Sequence, residues 1–242
     1  ADASTEMGTG HVMRCIALAQ EWARTGGRVR FLTAPGQPKL EERLDSEGFE
    51  VVRIESEPAS VDDARETSSH LADAGALVVD GYHFTSAYRA ALECSHCATL
   101  VIDDTADLGP YDVDLLLNQN VGASADLYEQ TTALPTLLLG QAYTLLRREF
   151  LDAEREADRH EPPTVLVTLG GSDPNDLAGL VLRGLELVEI PLDVTLVVGG
   201  SNPRASRYRE AASRHSITVR ENVSSMAPVM AGANVAITAG GS

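Results

Sequence analysis

Apolar, β-branched runs alternate with helical patterns through the first half of the chain: RVRFLT (28–33), EVVRI (50–54), ALVVD (76–80), TLVID (99–103) and DLLLN (114–118). That alternation predicts βαβ units and a parallel sheet. Ahead of the first run, HVMRCIALAQEWARTGG places Val12, Ile16, Ala19 and Ala23 at helical spacing and stops at Gly26 and Gly27. The pattern predicts an opening helix closed by a glycine C-terminus.

From about 147 to 163 the stretch RREFLDAEREADRHEPP loses β-character, becomes charged and ends in two prolines. A boundary is expected there. The second half repeats the grammar of the first: a strand at 164–169, a glycine loop, a helix at 175–188, a strand at 193–198, then SITVREN and NVAITAGGS. The predicted fold class is α/β, with two Rossmann-like, doubly wound domains: an N-terminal domain over 1–150, a linker over 151–163 and a partial C-terminal domain over 164–242. A βα loop that opens a domain needs a strand before it, and VAIT ends in AGGS with no helix after it. The chain is therefore expected to be truncated at both ends, with the first strand missing.

Composition narrows the class. With 242 residues, 43% of them hydrophobic, a sizeable core is expected. No apolar run approaches the ~20 residues of a bilayer crossing, and ADASTEMGTG lacks the basic and apolar regions of a secretory signal; a soluble, cytoplasmic protein is expected. A formal net charge of -17 argues against nucleic acid and anionic membranes as partners. Lys39 is the only lysine, so the basic side is almost all arginine, as a GC-rich genome or a salt-rich habitat would each produce. Three cysteines are too few for a disulfide framework and fit a reducing compartment. Cys94 and Cys97 form a CxxC without a second pair, and read better as two small helical residues than as a zinc or redox site.

The chemistry lies at the turns. Gly8, Gly10 and His11 sit where a strand should pass into a helix, a place where free N–H groups and the positive helix end attract anions. GTGHVM lacks the third glycine of the dinucleotide fingerprint, and no Walker-type loop or GxSxG elbow occurs. Ligands of open α/β sheets gather beyond the carboxyl ends of the strands, which puts His11 in a cleft; imidazole, with a reference pKa of about 6.5, suits proton transfer near neutrality. His70, His83, His96, His160 and His215 have no such setting and show no metal spacing, so a surface or structural role is expected for them. Asp80 ends a strand and is followed by Gly81 and Tyr82, again at the cleft edge. Asp103 and Asp104 end the next strand as a carboxylate pair that could hold a metal or act as acid and base, although acidic helix starts are common. In the second half, Gly170, Gly171, Ser172 and Asp173 follow a strand and lead through Pro174 into a helix, and Gly240, Gly241 and Ser242 follow the last strand. Both loops are predicted to receive a phosphate.

The segments DASTEMGTGHVMRCIALA, VVDGYHF, VIDD, LLGQAYTLLRREF, VTLGGSDPND and ITAGGS, in this order, resemble the PseG/SpsG family over essentially the whole chain. The resemblance implies a glycosyltransferase-B fold similar to that of the peptidoglycan enzyme MurG. It also implies inverting hydrolysis of UDP-2,4-diacetamido-2,4,6-trideoxy-β-L-altropyranose to UDP and free sugar, in pseudaminic acid biosynthesis or a related route such as spore-coat polysaccharide assembly. Carried over residue by residue, His11 is the catalytic histidine. Asp2, Ser4, Gly8, Gly10, Arg14, Asp80 and Tyr82 are then expected to bind the sugar. Gly170, Gly171, Ser172, Asp173 and Gly240 to Ser242 are expected to bind the nucleotide. The family pattern continues past AGGS with a threonine and a nucleotide-binding glutamate, and it has an arginine-bearing strand before Asp2. The expected partner is a UDP-sugar, with neither metal nor cofactor. Two rival readings are a transferase that uses His11 on an acceptor hydroxyl, and a silent nucleotide-sugar binding module.

Overall fold

The computed structural model describes residues 1, 10–36, 38–129, 135–154, 161–170, 173, 175–199, 202–210 and 215–239. The chain divides between Arg147 and Arg148 into two units, inside the charged stretch where β-character is lost.

The first unit opens with helix α1 (Gly10–Arg24), whose buried face is Val12, Cys15, Ile16 and Ala19. It ends as the glycine pair requires: Gly27 N donates to the carbonyl of Trp22, and Gly26 N to that of Ala23, with Gly26 at φ +90°. Strands β1 (Arg30–Thr33) and β2 (Glu50–Arg53) form a parallel pair joined by α2 (Pro38–Ser46). A separate four-stranded parallel sheet runs β3-β4-β5-β6, from Ala76–Asp80, Ala98–Ile102, Leu115–Asn118 and Thr136–Leu139. Helices α3 (Val61–Ser69) and α4 (Ser86–Ala91) flank β3 in sequence.

Alternation along these strands splits the core over the two faces of the sheet. Val78, Leu100, Ile102 and Leu117 pack with α1 and Phe31. Leu77, Val79, Val101 and Leu116 pack with Ala64 of α3, Phe84 and Tyr88. Strands apolar on both faces are what a parallel sheet between helices needs.

The second unit starts with the short α5 (Arg148–Leu151) and builds a parallel sheet of order β10-β7-β8-β9, from Val235–Thr238, Thr164–Thr168, Asp193–Val198 and Ser216–Glu221. Helices α6 (Leu177–Leu185), α7 (Ala205–Glu210) and α8 (Ala227–Ala231) follow β7, β8 and β9. Its core joins Val165, Val167, Val194 and Leu196 to Ala178 and Leu182 of α6 and Tyr208 of α7.

Two expectations need correction. The helix expected over 175–188 spans only Leu177–Leu185, because Asp176 adopts a left-handed conformation at its start and Gly184 lies in its last turn. Cys94 and Cys97 are not helical: α4 ends at Ala91, and the two sulfurs are paired as a disulfide in the bend before β4.

Candidate active site

The first turn of α1 faces the carboxyl end of β3. Positions three apart on a helix share a face, so His11 and Arg14 point together at Asp80, the last residue of β3. Asp80 has no exposed surface, and His11 and Arg14 are buried, with only 7% and 8% of their surface exposed. His11 Nδ1 lies 2.8 Å from Asp80 Oδ1; Arg14 Nη2 donates to the same oxygen at 2.5 Å, and Arg14 Nε donates to Oδ2 at 2.5 Å. A carboxylate only accepts and a guanidinium only donates. The same Nδ1 also lies 3.1 Å from Arg14 Nη2, and the shorter contact, to the accept-only carboxylate of Asp80, is the one served by a proton on Nδ1.

Two further groups complete the cluster. Arg14 Nη1 donates to Asp104 Oδ2 at 2.7 Å, bringing in a residue from the loop after β4. The ring of Tyr82 meets that of His11 edge-on, with centroids 4.7 Å apart and planes at 84°. Tyr82 is 48% exposed, so it is the group of the cluster most open to solvent.

The electrostatics follow from burial working against pairing. Burial pushes the Asp80 carboxyl up, but its bonds to Arg14 and then His11 outweigh that and hold it below the ordinary carboxylate range. Burial pulls the Arg14 guanidinium down, and Asp80 and Asp104 more than restore it, leaving it raised. Burial, reinforced by Asp80, pushes the Cys15 thiol up to about 12, so this cysteine beside the site is protonated and not a nucleophile. Burial and the Asp104 carboxylate raise the Tyr82 phenol.

The structure thus brings together His11, Arg14, Asp80 and Tyr82. Gly10 is the first residue of α1. Asp2, Ser4 and Gly8 lie outside the described residues. The adjacent carboxylates Asp103 and Asp104 part ways. Asp103 turns inward and accepts from Thr105 N at 3.0 Å, Ala106 N at 2.9 Å and the Tyr111 hydroxyl, which makes it a loop former. Asp104 joins Arg14 in the site. Of the other histidines, His96 and His215 each place Nε2 against a backbone carbonyl, of Leu71 and Leu185. His160 is outside the described residues.

In the second unit Gly170 lies in the loop just after β7, at φ +89°. Gly171, Ser172 and Gly240 to Ser242 lie outside the described residues. Asp173 accepts from Leu177 N and Ala178 N, both at 2.9 Å, so its carboxylate already occupies the first free amides of α6. Arg204 donates Nη1 to the Asp173 carbonyl at 3.0 Å, a cation at this loop that nothing in the sequence around NPRAS announces.

No family model matches the chain. It is 24% identical over 217 residues to the UDP-2,4-diacetamido-2,4,6-trideoxy-β-L-altropyranose hydrolase of Campylobacter jejuni, covering 88% of this chain and 73% of that protein. An uncharacterized protein of Methanocaldococcus jannaschii is 22% identical over 252 residues; the match takes in 99% of this chain and about half (51%) of that relative's length. Among solved structures, MurG of Acinetobacter baumannii superposes with a TM-score of 0.60 at 16% identity, over 98% of this chain and 69% of that one. A glycosyltransferase of Rickettsia africae gives 0.57 at 11% identity, over 98% and 70%. The fold is that of the glycosyltransferase-B enzymes. The Campylobacter relative adds a distant sequence kinship to an enzyme of nucleotide sugars. Among the described residues no helix is long and apolar enough to cross a membrane, and no group of three or more metal-ligating side chains occurs.

Proposed function

We propose that the chain carries the water-activating half of a nucleotide-sugar hydrolase that releases UDP and a free 2,4-diacetamido-2,4,6-trideoxy sugar with inversion. The observation that carries this reading is the buried carboxylate–imidazole pair at the start of α1. Asp80 fixes the Nδ1–H tautomer and favours the imidazolium formed on proton uptake, which leaves Nε2 as the base. Water attacks the anomeric carbon from the face opposite the diphosphate while Nε2 takes its proton. The bond from that carbon to the diphosphate oxygen breaks, and UDP leaves with the electron pair. Arg14 and Asp104 position Asp80, and Tyr82 is the group that grips the sugar. The glycine loop after β7 and Arg204 are assigned to the diphosphate. Kinship to the Campylobacter hydrolase supports this choice of sugar.

In the full-length protein, His11→Ala is expected to lower UDP release from the UDP-sugar by about 10²–10⁴-fold, the range of a lost general base, with UDP affinity nearly unchanged. Turnover within a few fold of the parent protein would sink the assignment. The likeness to MurG favours a second reading, transfer to an acceptor hydroxyl activated by the same nitrogen. Incubation with UDP-sugar and no acceptor separates the two: free sugar in step with UDP supports hydrolysis, and no UDP until an acceptor is added supports transfer.

A further inference from the structure

The first unit carries a second cluster of reactive side chains, at the opposite end of its sheet from His11. Cys94 and Cys97 are paired as a disulfide in the bend between α4 and β4, with only Ser95 and His96 between them and Cα atoms 5.7 Å apart. β4 runs from Ala98 to Ile102, so its five residues, about 16 Å at ~3.3 Å each, separate the pair from the Asp103 and Asp104 end where the site lies. The chemistry proposed for His11 makes no use of it.

Three features decide between a structural clasp and an exchangeable bond. A disulfide stabilises mainly by restricting the unfolded chain, and the restriction grows with the loop it closes; a loop with two residues between its cysteines restricts little. The bend is also held without the bond. Glu93 N donates to Ser68 Oγ at 2.9 Å, His96 Nε2 to the Leu71 carbonyl at 3.0 Å, and Ala98 N to the Gly75 carbonyl at 3.1 Å, so α3, the segment after it and the residue ahead of β3 all anchor it. The two sulfurs differ in access as well. Cys97 is buried, with 6% of its surface exposed, whereas Cys94 is half-buried and flanked by the exposed Glu93 and Ser95. One sulfur is open to attack and the other is a shielded leaving group. Once released, the Cys97 thiol has the Cys94 carbonyl 3.9 Å away as an acceptor.

We propose that Cys94 and Cys97 form a redox site: a dithiol–disulfide couple that exchanges with external dithiols while the fold stays intact, Cys94 making the contact and Cys97 resolving it. In the reducing direction a thiolate of the external dithiol attacks Cys94 Sγ. The bond between Cys94 and Cys97 breaks, its electron pair passes to Cys97 Sγ, and that sulfur takes a proton. The second thiolate of the dithiol then attacks its own first sulfur in the mixed disulfide, which releases Cys94 to take a proton and leaves the reagent oxidised to its disulfide. Two electrons and two protons reach the protein. In the oxidising direction Cys94 attacks an external disulfide, and Cys97 displaces the half that stays bound. Cys15, buried beside Asp80 and protonated, takes no part.

The measurement is a count of free thiols by mass on the folded 242-residue chain, taken after a denaturing quench in alkylating reagent. Incubation with oxidised glutathione is expected to leave one thiol, that of Cys15, and dithiothreitol to raise the count to three with the far-UV circular dichroism unchanged. Reduction of the native chain is expected to run within about tenfold of the rate in the urea-unfolded chain, because Cys94 is reached without unfolding. Among reduced variants, Cys97→Ser is expected to form a mixed disulfide with glutathione at Cys94 at least about tenfold faster than Cys94→Ser forms one at Cys97. A native rate that lags further, towards the factor of about a thousand or larger at which only unfolded molecules react, would make the bond a structural clasp and overturn the proposal. Three thiols after oxidised glutathione would overturn it by showing that the pair does not close, and loss of dichroism on reduction by showing that the fold depends on the bond. Equal rates in the two serine variants would overturn the division of roles.

Discussion

Asp80 is a carboxylate with no exposed surface, and every polar neighbour it has in the site bears on whether it stays ionised. Removing one member of a buried charge pair leaves the other uncompensated and costs about 3–5 kcal/mol. Asp80→Asn is expected to lose stability in that range by urea unfolding at pH 7, and to lower turnover more than sugar affinity, because Asn no longer requires the proton on Nδ1. The pH dependence has a definite sign. The folded-state pKa of Asp80 lies below its unfolded value near 3.8, so its stabilisation is complete above that pH and is lost as the pH falls through the folded pKa. The parent protein should therefore shed stability below about pH 4 more steeply than Asp80→Asn does; parallel acid limbs would mean that Asp80 is not ionised in the fold. At this scale the sequence is legible where a residue closes an element. His11 and Asp80 stand out because one opens a helix and the other ends a strand. Asp104 and Asp103 are neighbours of the same type, and which one reaches Arg14, 90 positions away, depends on packing that no local spacing encodes.

At the scale of elements, the turn from β3 towards α4 decides where Tyr82 stands. Gly81 sits at φ +152°, and a Cβ there would lie 2.8 Å from His83 Cε1 and 3.0 Å from Phe84 Cδ2. Gly81→Ala must displace the turn that carries Tyr82 over His11, at a cost of about 1–3 kcal/mol for the strained backbone. Thermal unfolding should register the loss, and KM for the UDP-sugar should rise more than kcat falls. Equal Tm and KM would show that the turn yields freely. Most strands of both units can be read from the sequence because buried parallel strands are uninterrupted apolar runs. β6 (TLLL) and helices α2, α3 and α4 escape such reading: four strand residues behind Pro135 leave little signal, and helices of six to nine residues barely complete two turns, too few for a period to emerge. The disulfide in the bend before β4 had no counterpart in the helical pattern assigned to that segment.

Over the whole molecule the negative charge is unevenly shared. Residues 1–147 hold 23 acidic and 10 basic side chains, and residues 148–242 hold 13 and 9, so the excess is 13 negative charges in the first unit and 4 in the second. Like charges packed on one unit repel, and salt screens that repulsion: the Debye length falls from about 30 Å at 0.01 M to about 3 Å at 1 M. The same salt weakens exposed pairs such as Arg24–Glu21 and Arg65–Asp62, but solvent already screens these and each contributes little. The excess of 13 outweighs them in the first unit, and in the second the two effects nearly cancel. Sodium chloride raised from 10 mM to 1 M should therefore move the unfolding of the two units apart. Trp22 fluorescence follows the first unit alone, whereas far-UV circular dichroism follows both. The expected result is a midpoint by Trp22 that climbs with salt while the dichroism transition broadens, because one unit gains stability and the other does not. A Trp22 midpoint that stays level or falls would mean that the arginine-carboxylate pairs on the first unit already neutralise its field, and that its acidity carries no cost in stability.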